Sequence, residues 1–367
     1  MDYTLRHTGT CQVFVSNMAF KTVRSTLAQG CVLDRIADDH VASRIVATMR
    51  DLANDDSKTK RYPGPNPISL DTSHFPQLQR EPYYICEKTD GVRYALVCTT
   101  LPPPLRAPVP GGGQDDNNPK PLNMCCLVDR SLAVYVLPLR HVPKAMFQGS
   151  LLDGELARNI YTGAWDYLIF DAVVVSGVPV LDSTLNARMD AVHHIMRVYA
   201  PHPDDPVTLL PKTFFPCAQL DMYKAHAKSV PYDIDGVILT PAVPPVVYGR
   251  HFGMFKLKDG NRHTVDFLVG PDGRSLSVFE KKNSKSTHVT VGTLTEHATP
   301  GTIVECELVD RDRCDRCDRC DTWKAVGVRT DKSTANDMFT YQKTLLNIRE
   351  ALTLDSIASL FGDPSFS

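Results

Sequence analysis

The sequence has 367 residues, enough for two domains and a sizeable hydrophobic core. Hydrophobic residues make up 43% of the chain and charged residues 22%, which is typical of a soluble globular protein. The formal net charge is −2, so no general positive field attracts a polyanion. A nucleotide or nucleic acid would therefore have to bind in a local cleft rather than on a generally basic surface.

Targeting and membrane segments are not predicted. The first residues, MDYTLRHTGTCQVF, lack the layout of a signal peptide. The longest apolar runs, such as YLIFDAVVV, are far shorter than the roughly 20 residues that span a bilayer. The eleven cysteines are therefore expected to be mostly free thiols in a reducing, intracellular compartment.

Residues 1–60 are predicted to form a helical extension that packs on the domain that follows. Val41, Ile45, Met49 and Leu52 recur every three or four positions, which is the spacing of one helix face. This stretch carries no residue pattern with identifiable chemistry.

Residues 61–262 are predicted to form a domain built on antiparallel sheet. YPGPNPISL at 62–70 interrupts regular structure, and short β-rich runs then alternate with turns. The Pro/Gly/Asn-rich stretch at 101–121 is interpreted as a loop between two strands. A helix is predicted at 185–200.

Residues 263–367 form a second β-rich block followed by a helix. About five short strands with turn-like punctuation suit a small barrel of the OB type. Phe339, Leu345, Ile348 and Leu352 are predicted to lie along one stripe of the terminal helix. The predicted fold class is therefore α+β, with an antiparallel-sheet domain, a C-terminal OB-fold barrel and a terminal helix.

Lys88 stands two residues before an Asp-Gly turn in EKTDGVRY. Thr-Asp-Gly favours a turn, so Lys88 is expected at a strand end, from which it can project into a cleft. A lysine has a reference pKa of about 10.4, so only about one in a few thousand is neutral at pH 7 unless burial or nearby cations lower it. Taken alone, the pattern also fits a surface lysine in a hairpin.

Further charged residues recur at strand-like positions along the chain. Alternate residues of a strand face the same side, so each such pair is expected to share a face. The pairs are Asp153 and Glu155, Asp233 and Asp235, and Lys256 and Lys258, joined later by Arg329, Asp331 and Lys332. Carboxylates suit a divalent metal, and cations stabilise the transition state of phosphoryl transfer. The combination fits a lysine that attacks the α-phosphate of a nucleoside triphosphate.

In this order, the motifs resemble those of the RNA guanylyltransferases, the mRNA capping enzymes, which share a nucleotidyltransferase superfamily with ATP-dependent DNA and RNA ligases. The resemblance runs from YPGPNPISL to VRTDKSTAND. Leu257 stands where the family usually has a tryptophan, and Ala335-Asn336 where Pro-Asn is common. The YPGPNPISL segment and the VRTDK motif favour capping enzymes over ligases.

The resemblance implies a role for each motif residue. Lys88 would be the guanylated nucleophile, Arg93 would contact the ribose, and Phe170 would stack on the purine. Glu155 would bind the ribose or metal side, and Asp235 would bind the metal. Lys256 and Lys258 would reach the α-phosphate, while Arg329, Asp331 and Lys332 of the OB domain would act on the β- and γ-phosphates as part of a lid.

The implied reaction needs Mg²⁺ or Mn²⁺ and GTP, and it transfers GMP through a lysyl adduct to the 5′-diphosphate end of RNA. The implied partners are a separate RNA triphosphatase, a separate cap methyltransferase and the transcription machinery, with no membrane. The implied location is nuclear for a cellular source, with a cytoplasmic one open for a viral source. The alternatives are an ATP-dependent polynucleotide ligase and a non-catalytic nucleotide-binding capping subunit.

Cys314, Cys317 and Cys320 have the C-x-x-C spacing of zinc sites, and Cys306 could supply a fourth ligand. Against zinc, these cysteines lie in a tandem Asp-Arg-Cys repeat at 310–321. Its alternating charges favour a solvated loop between barrel strands.

Overall fold

The structure is a computed structural model. It describes residues 10–11, 20–27, 30–55, 62–102, 121–243, 246–258, 263–282, 285–310, 321–330 and 332–361. The chain divides into two compact units. The first unit comprises Met1–Ile68, Glu81–Ile234 and Ile238–Met254, and the second comprises Ser69–Arg80, Asp235–Val237 and Phe255–Ser367.

The strands outside the barrel are mostly short. In chain order they are β1 Thr10–Cys11, β2 Thr22–Thr26, β3 Val32–Ile36, β4 Pro65–Ser69, β5 Tyr83–Thr89, β6 Val92–Leu101, β7 Leu122–Val128, β8 Val134–Val136, β9 Val142–Pro143, β10 Ser150–Arg158, β11 Trp165–Val175, β12 Val178–Pro179, β13 Thr208–Pro211, β14 Phe215–Pro216, β15 Ile234–Pro241 and β16 Gly249–Leu257.

Most of these strands belong to two sheets. The nine-stranded sheet has the order β12-β11-β10-β6-β7-β8-β3-β2, with β13 paired to β11. The five-stranded sheet has the order β14-β5-β15-β16-β4. Strands β6 and β7 pair from Leu101 and Leu122 inward, as expected if the stretch at 101–121 joins two strands. Residues 103–120 of that stretch lie outside the described residues.

The described residues form six α-helices. They are α1 Asp39–Leu52, α2 Phe75–Arg80, α3 Leu185–Met196, α4 Leu220–Ala227, α5 Met338–Glu350 and α6 Leu354–Phe361. Helix α1 begins where the Asp38 carboxylate accepts hydrogen bonds from the backbone N–H groups of His40 and Val41. Its buried residues are Ile45 and Met49, in the middle of the predicted stripe.

The N-terminal segment is more than a helical extension. Besides α1, it supplies β2 and β3, which pair with each other and, through β3, with β8 of the nine-stranded sheet. Two short strands of mixed polarity leave only a weak periodic signal, which explains why the sequence pattern indicated the helix alone. The predicted domain boundaries at 60 and 262 stay predictions.

The second unit contains a closed five-stranded barrel. Its strands are β17 Thr264–Val269, β18 Ser275–Lys282, β19 Lys285–Leu294, β20 Ile303–Asp310 and β21 Asp321–Val328. The order around the barrel is β17-β18-β19-β21-β20, and β19 pairs with β21 in parallel. This is the predicted OB-type architecture. Trp323, Phe267 and Tyr341 pack together in its core.

The terminal helix differs from the prediction at both ends of the stripe. Leu345 and Ile348 of α5 pack against the barrel core as expected. Phe339 is 48% exposed, and Tyr341 takes the buried position instead. Ala351 has a left-handed conformation, with φ of 46°, and this ends α5 before Leu352. The predicted helix is therefore α5, which ends before the last residue of the stripe, and a separate helix, α6, follows it.

Within the described residues, no helix is long and apolar enough to cross a membrane.

A buried ion pair joins helix α3 to strand β11. Arg188 donates to both carboxylate oxygens of Asp171, at 2.6 and 3.0 Å, and to the Ser183 carbonyl at 2.7 Å. Both side chains are almost fully buried. Asp171 follows Phe170 along the strand, so this pair also fixes the backbone at the predicted purine-stacking residue.

Arg188→Met should lower the free energy of unfolding by about 3–5 kcal/mol, because it leaves the buried Asp171 carboxylate without its charged partner. Urea denaturation followed by circular dichroism would measure the change. Arg24→Met is the matched control: Arg24 pairs with Asp34 at 3.6 Å but is 73% exposed, so a change below about 1 kcal/mol is expected. Equal effects of the two substitutions would contradict this account.

Candidate nucleotide site

Lys88 is the next-to-last residue of β5 and is half-buried. The Asp-Gly turn after it does not close a hairpin, because β5 belongs to the five-stranded sheet and β6 to the nine-stranded sheet. The Asp90 backbone N–H donates to the Asp233 carbonyl at 2.8 Å, which fixes the turn. The lysine thus lies where the chain passes from one sheet to the other.

Gly91 brings this turn against strand β10. A Cβ atom at Gly91 would lie 2.6 Å from the Leu156 carbonyl oxygen and 2.8 Å from Glu155 Cγ. Any larger residue would push the turn away from the strand, so glycine is required by close approach. The two motifs KTDG and DGE are therefore adjacent in the first unit.

Glu155 is the predicted carboxylate of that strand. Burial raises its pKa to about 7, while the charges of Lys212, Arg93 and Lys88 act in the opposite direction. Lys88 is thus among the cations that act on this carboxyl group. The structure brings the predicted nucleophile and the predicted acid together, but the roles assigned to them stay predictions.

Lys212 is a residue of this cluster that the sequence pattern did not indicate. Its side chain is 5% exposed, and its Nζ donates to the Glu87 carbonyl at 2.8 Å and to Thr89 Oγ1 at 2.7 Å. It also lies 3.3 Å from the Glu87 carboxylate. These contacts fix the strand at the residues directly before and after Lys88. In the sequence, the local signal for Lys212 was its place directly after the apolar run LLP.

Arg93 is buried beside Glu155 and is already paired. Its Nε donates to Asp153 Oδ1 at 2.8 Å, its Nη2 donates to Asp153 Oδ2, and its Nη1 donates to the Pro65 carbonyl. A Cβ atom at Gly64 would lie 2.5 Å from Arg93 Nη2, so YPGP places a glycine where the guanidinium packs.

Two aromatic rings flank the Arg93 guanidinium. The ring centroids of Tyr62 and Phe170 lie 5.2 and 5.3 Å from its central carbon. The Tyr62 hydroxyl also donates to Asp153 at 2.8 Å. Phe170, the predicted purine-stacking residue, is half-buried and lies beside the predicted ribose-binding arginine.

The second unit holds the predicted acid and lysines of the DGVIL and MFKLK motifs. Lys258 Nζ lies 3.3 Å from Asp235 Oδ2. The charges of Lys258 and Lys256 add to burial in lowering the pKa of His263, so both lysines lie close to that ring. The backbone at Gly236 closely approaches the Leu257 carbonyl, and its φ of +142° favours glycine.

The barrel groups its predicted phosphate-binding cations around one carboxylate. Arg329 Nη1 lies 3.1 Å from Asp266 Oδ1 and 3.7 Å from Glu305, and Lys332 Nζ donates to Asp266 Oδ2. Asp266 is buried and was not indicated by the sequence pattern. Asp331, the third predicted residue of this motif, lies outside the described residues.

Metal ligands are sparse in the part of the chain that the structure describes. No group of three or more His, Cys, Asp or Glu side chains there could hold an ion. The cysteines at 314, 317 and 320 lie outside the described residues, so the zinc hypothesis stays untested. Cys306 is buried in the barrel core, and burial raises its pKa to about 12.

Two family models match most of the chain. The mRNA capping enzyme catalytic domain matches residues 32–260, and the mRNA capping enzyme C-terminal domain matches residues 254–358. The chain belongs to the mRNA capping enzyme family. The predicted nucleotidyltransferase class follows from this membership, and the guanylyltransferase interpretation is favoured over the ligase interpretation.

Individual relatives of this capping enzyme family are distant in sequence. An mRNA-capping enzyme subunit alpha of Schizosaccharomyces pombe is 24% identical over 348 residues, covering 81% of this chain and 79% of the relative. Its counterpart in Yarrowia lipolytica is 26% identical over 242 residues, covering 61% and 57%. The match therefore spans little more than half of the second relative.

Among solved structures, a mycobacterial DNA ligase D complexed with ATP and MES is similar over 75% of this chain and 97% of the ligase chain. Its TM-score is 0.39 and its sequence identity is 13%. The fold assignment for this capping enzyme family member rests on its own sheets and barrel and on the two family models.

Glu155→Gln should change how stability depends on pH. Folding raises the pKa of Glu155 from 4.5 to about 7. The folded wild type should therefore lose stability as the pH rises through this range, because the buried group must ionise there. Glutamine cannot ionise, so the variant should gain about 2 kcal/mol relative to wild type between pH 5 and pH 8. Urea titrations at both pH values measure this, with exposed Glu296→Gln as the control. A difference that does not change with pH would contradict the burial of this carboxyl group.

Proposed function

We propose that the chain is an mRNA guanylyltransferase that transfers GMP from GTP to the 5′-diphosphate end of RNA through an adduct on Lys88. The observation that supports the proposal is that the turn after Lys88 packs at Gly91 on the strand of Glu155, whose buried carboxyl group the Lys88 charge acts on, inside the segment that matches the capping enzyme catalytic domain. The similarity to mRNA-capping enzyme alpha subunits supports the same class.

In the first proposed step, neutral Lys88 Nζ attacks the α-phosphorus of GTP. A nitrogen–phosphorus bond forms, the bond between the α-phosphorus and the bridging oxygen breaks, and pyrophosphate leaves with its electron pair. The amine loses its proton. The contacts of Lys212 on either side of Lys88 support this step, because they hold the nucleophile's strand in place.

In the second proposed step, a terminal phosphate oxygen of the RNA diphosphate attacks the phosphorus of the lysyl adduct. The nitrogen–phosphorus bond breaks, Lys88 regains a proton, and the product has the GpppN cap. Because the phosphorus returns from nitrogen to oxygen, the enzyme ends the cycle unchanged.

We assign the remaining cations to the phosphates. Lys256 and Lys258 would bind the α-phosphate, and Arg329, Asp331 and Lys332 would act on the β- and γ-phosphates. Arg93 would contact the ribose and Phe170 would stack on the purine. In support, Arg93 and Phe170 are in contact, and Arg329 and Lys332 share Asp266. Phosphate oxygens compete well for lysine and arginine because the resulting hydrogen bonds are charge-assisted.

We assign a divalent metal to the two predicted carboxylates, Glu155 in the first unit and Asp235 in the second. Glu155 and Asp235 offer hard carboxylate oxygens, and Mg²⁺ is often bound by only one or two carboxylates together with phosphate oxygens. When bound, Mg²⁺ or Mn²⁺ would neutralise phosphate charge, which Glu155 can support once its raised pKa of about 7 is exceeded.

The proposal extends to the setting of the reaction. A separate RNA triphosphatase would supply the diphosphate end, a separate methyltransferase would act on the cap, and the transcription machinery would deliver the RNA. The eukaryotic sources of the relatives support a nuclear role for a cellular protein. A viral source would leave a cytoplasmic location open.

Lys88→Ala should abolish covalent labelling by GTP. Wild type incubated with α-labelled GTP and magnesium should retain label through denaturing electrophoresis, because the phosphoramidate bond survives unfolding. The variant should lose at least 100-fold of the signal, since the nucleophile is gone. Lys144→Ala removes an exposed lysine and serves as the matched control, with labelling unchanged.

A parallel incubation with α-labelled ATP separates the guanylyltransferase from the ligase alternative. Labelling by ATP instead of GTP would show ligase-type chemistry on the same lysine. Full labelling of Lys88→Ala by GTP would show that the nucleophile is a different residue. Absence of labelling by either nucleotide would favour the non-catalytic subunit.

A further inference from the structure

The tip of the β10–β11 hairpin, residues 158–164, carries exposed apolar side chains in the first unit. Tyr161 is 76% exposed and Ile160 is 51% exposed, and Arg158 beside them is also exposed. Exposed single apolar residues are ordinary on protein surfaces. Here, however, they are adjacent to each other on a turn whose backbone is fixed, and Arg158 Nε at the base of the turn donates to the Gly163 carbonyl at 3.4 Å.

The backbone of the tip is held by its own hydrogen bonds. Asn159 Oδ1 accepts from the backbone N–H groups of Tyr161 and Thr162, both at 3.1 Å. The Gly163 N–H donates to the Asn159 carbonyl at 2.8 Å, and Gly163 has φ of +71°. Tyr161 is therefore presented on a rigid turn, which reduces the entropy lost when a ligand contacts it.

A short segment, residues 230–233, ties this tip to the turn that follows Lys88. The Ile160 N–H donates to the Pro231 carbonyl at 2.9 Å, and the Asp90 N–H donates to the Asp233 carbonyl at 2.8 Å. Between these two bonds, the buried Tyr232 hydroxyl donates to Asp166 at 2.9 Å. Ile160 of the hairpin tip and Asp90 of the Lys88 turn are thus each hydrogen-bonded to this same four-residue segment.

Strand β10 gives a second measure of proximity. It carries Glu155, whose Cγ lies against the Lys88 turn, and Arg158 three residues later. At about 3.3 Å per residue, the strand places the backbone of Arg158 about 10 Å beyond that of Glu155. The spacing of three residues directs the Arg158 side chain to the opposite face of the strand, at its exposed end. The hairpin tip thus lies further along the strand that packs on the Lys88 turn.

We propose that Tyr161 is a stacking platform for a base near the 5′ end of the acceptor RNA, with Arg158 contacting its phosphate backbone. The inference rests on the proposed guanylyl transfer, because it needs RNA at Lys88. An aromatic face accepts any base, and a guanidinium pairs with phosphate, which is the chemistry of sequence-tolerant binding to single strands. Such local recognition also suits a chain whose net charge is −2.

The test separates the two steps of the reaction. Wild type and Tyr161→Ala are first labelled with GTP, and single-turnover transfer of the label is then followed against the concentration of a 5′-diphosphate RNA of about ten nucleotides. Labelling should agree within about twofold. The RNA concentration at half-maximal rate should rise about tenfold in Tyr161→Ala, the size of one lost base–aromatic stack. Tyr161→Phe should behave as wild type, and Tyr161→Leu should behave as Tyr161→Ala.

Met222→Ala, which removes another exposed apolar side chain on α4, is the matched control and should leave both steps unchanged. Arg158→Gln should weaken RNA dependence and reduce its sensitivity to salt, because one phosphate contact is lost. An unchanged RNA dependence in Tyr161→Ala would overturn the inference and leave this surface to a protein partner. Such a result would leave the proposed function intact.

A readout that does not need catalysis completes the test. In Tyr161→Trp, the same RNA added without GTP should quench the tryptophan fluorescence of residue 161, and a matched abasic RNA should not. Equal quenching by both RNAs would also overturn the inference. Failure of the wild type to form a GTP adduct would overturn the proposed function instead, and this fluorescence result would still decide whether the tip binds RNA.

Discussion

The proposed chemistry depends on one local constraint, the hydrogen bonds by which Lys212 fixes the strand that carries Lys88. A buried ammonium group must satisfy its donors, and here it does so on the Glu87 carbonyl and the Thr89 hydroxyl, directly before and after the lysine. Because Gly91 has no side chain, the turn after Lys88 packs closely against β10. Strand, turn and carboxylate are thereby fixed together, which is the preorganisation that a covalent step requires.

Charge pairing recurs throughout the motifs. Arg93 is paired with Asp153, Lys258 with Asp235, and Arg329 and Lys332 with Asp266. These four cations, all assigned to the nucleotide, therefore already have carboxylate partners within their own unit. A triphosphate would have to displace or share these carboxylate partners. A ligand with fewer negative oxygens would compete less well for the cations and would bind more weakly.

Much of the fold and part of the candidate site could be predicted from the sequence. The helix at Asp39–Leu52 and the five-stranded barrel follow from periodicity, whereas the nearness of the Lys88 turn and Glu155 was implied only by the family resemblance of their motifs. Lys212 and Asp266 could not be predicted, because each is a single charged residue whose partners lie far away in sequence. The same holds for residues 69–80, which group with the second unit. There Lys343 donates to the buried Asp71, and Asn347 donates to the Leu70 carbonyl. Long-range pairing of this kind leaves no periodic signal.

The most direct test of the central claim is to locate the adduct on the chain. The wild-type protein is incubated with GTP and magnesium, denatured and digested with a protease at a pH that preserves the phosphoramidate bond, and its peptides are sequenced by mass spectrometry. The account predicts that the added GMP is found on Lys88 alone. Its presence on Lys212, Lys256 or any other side chain would contradict the account.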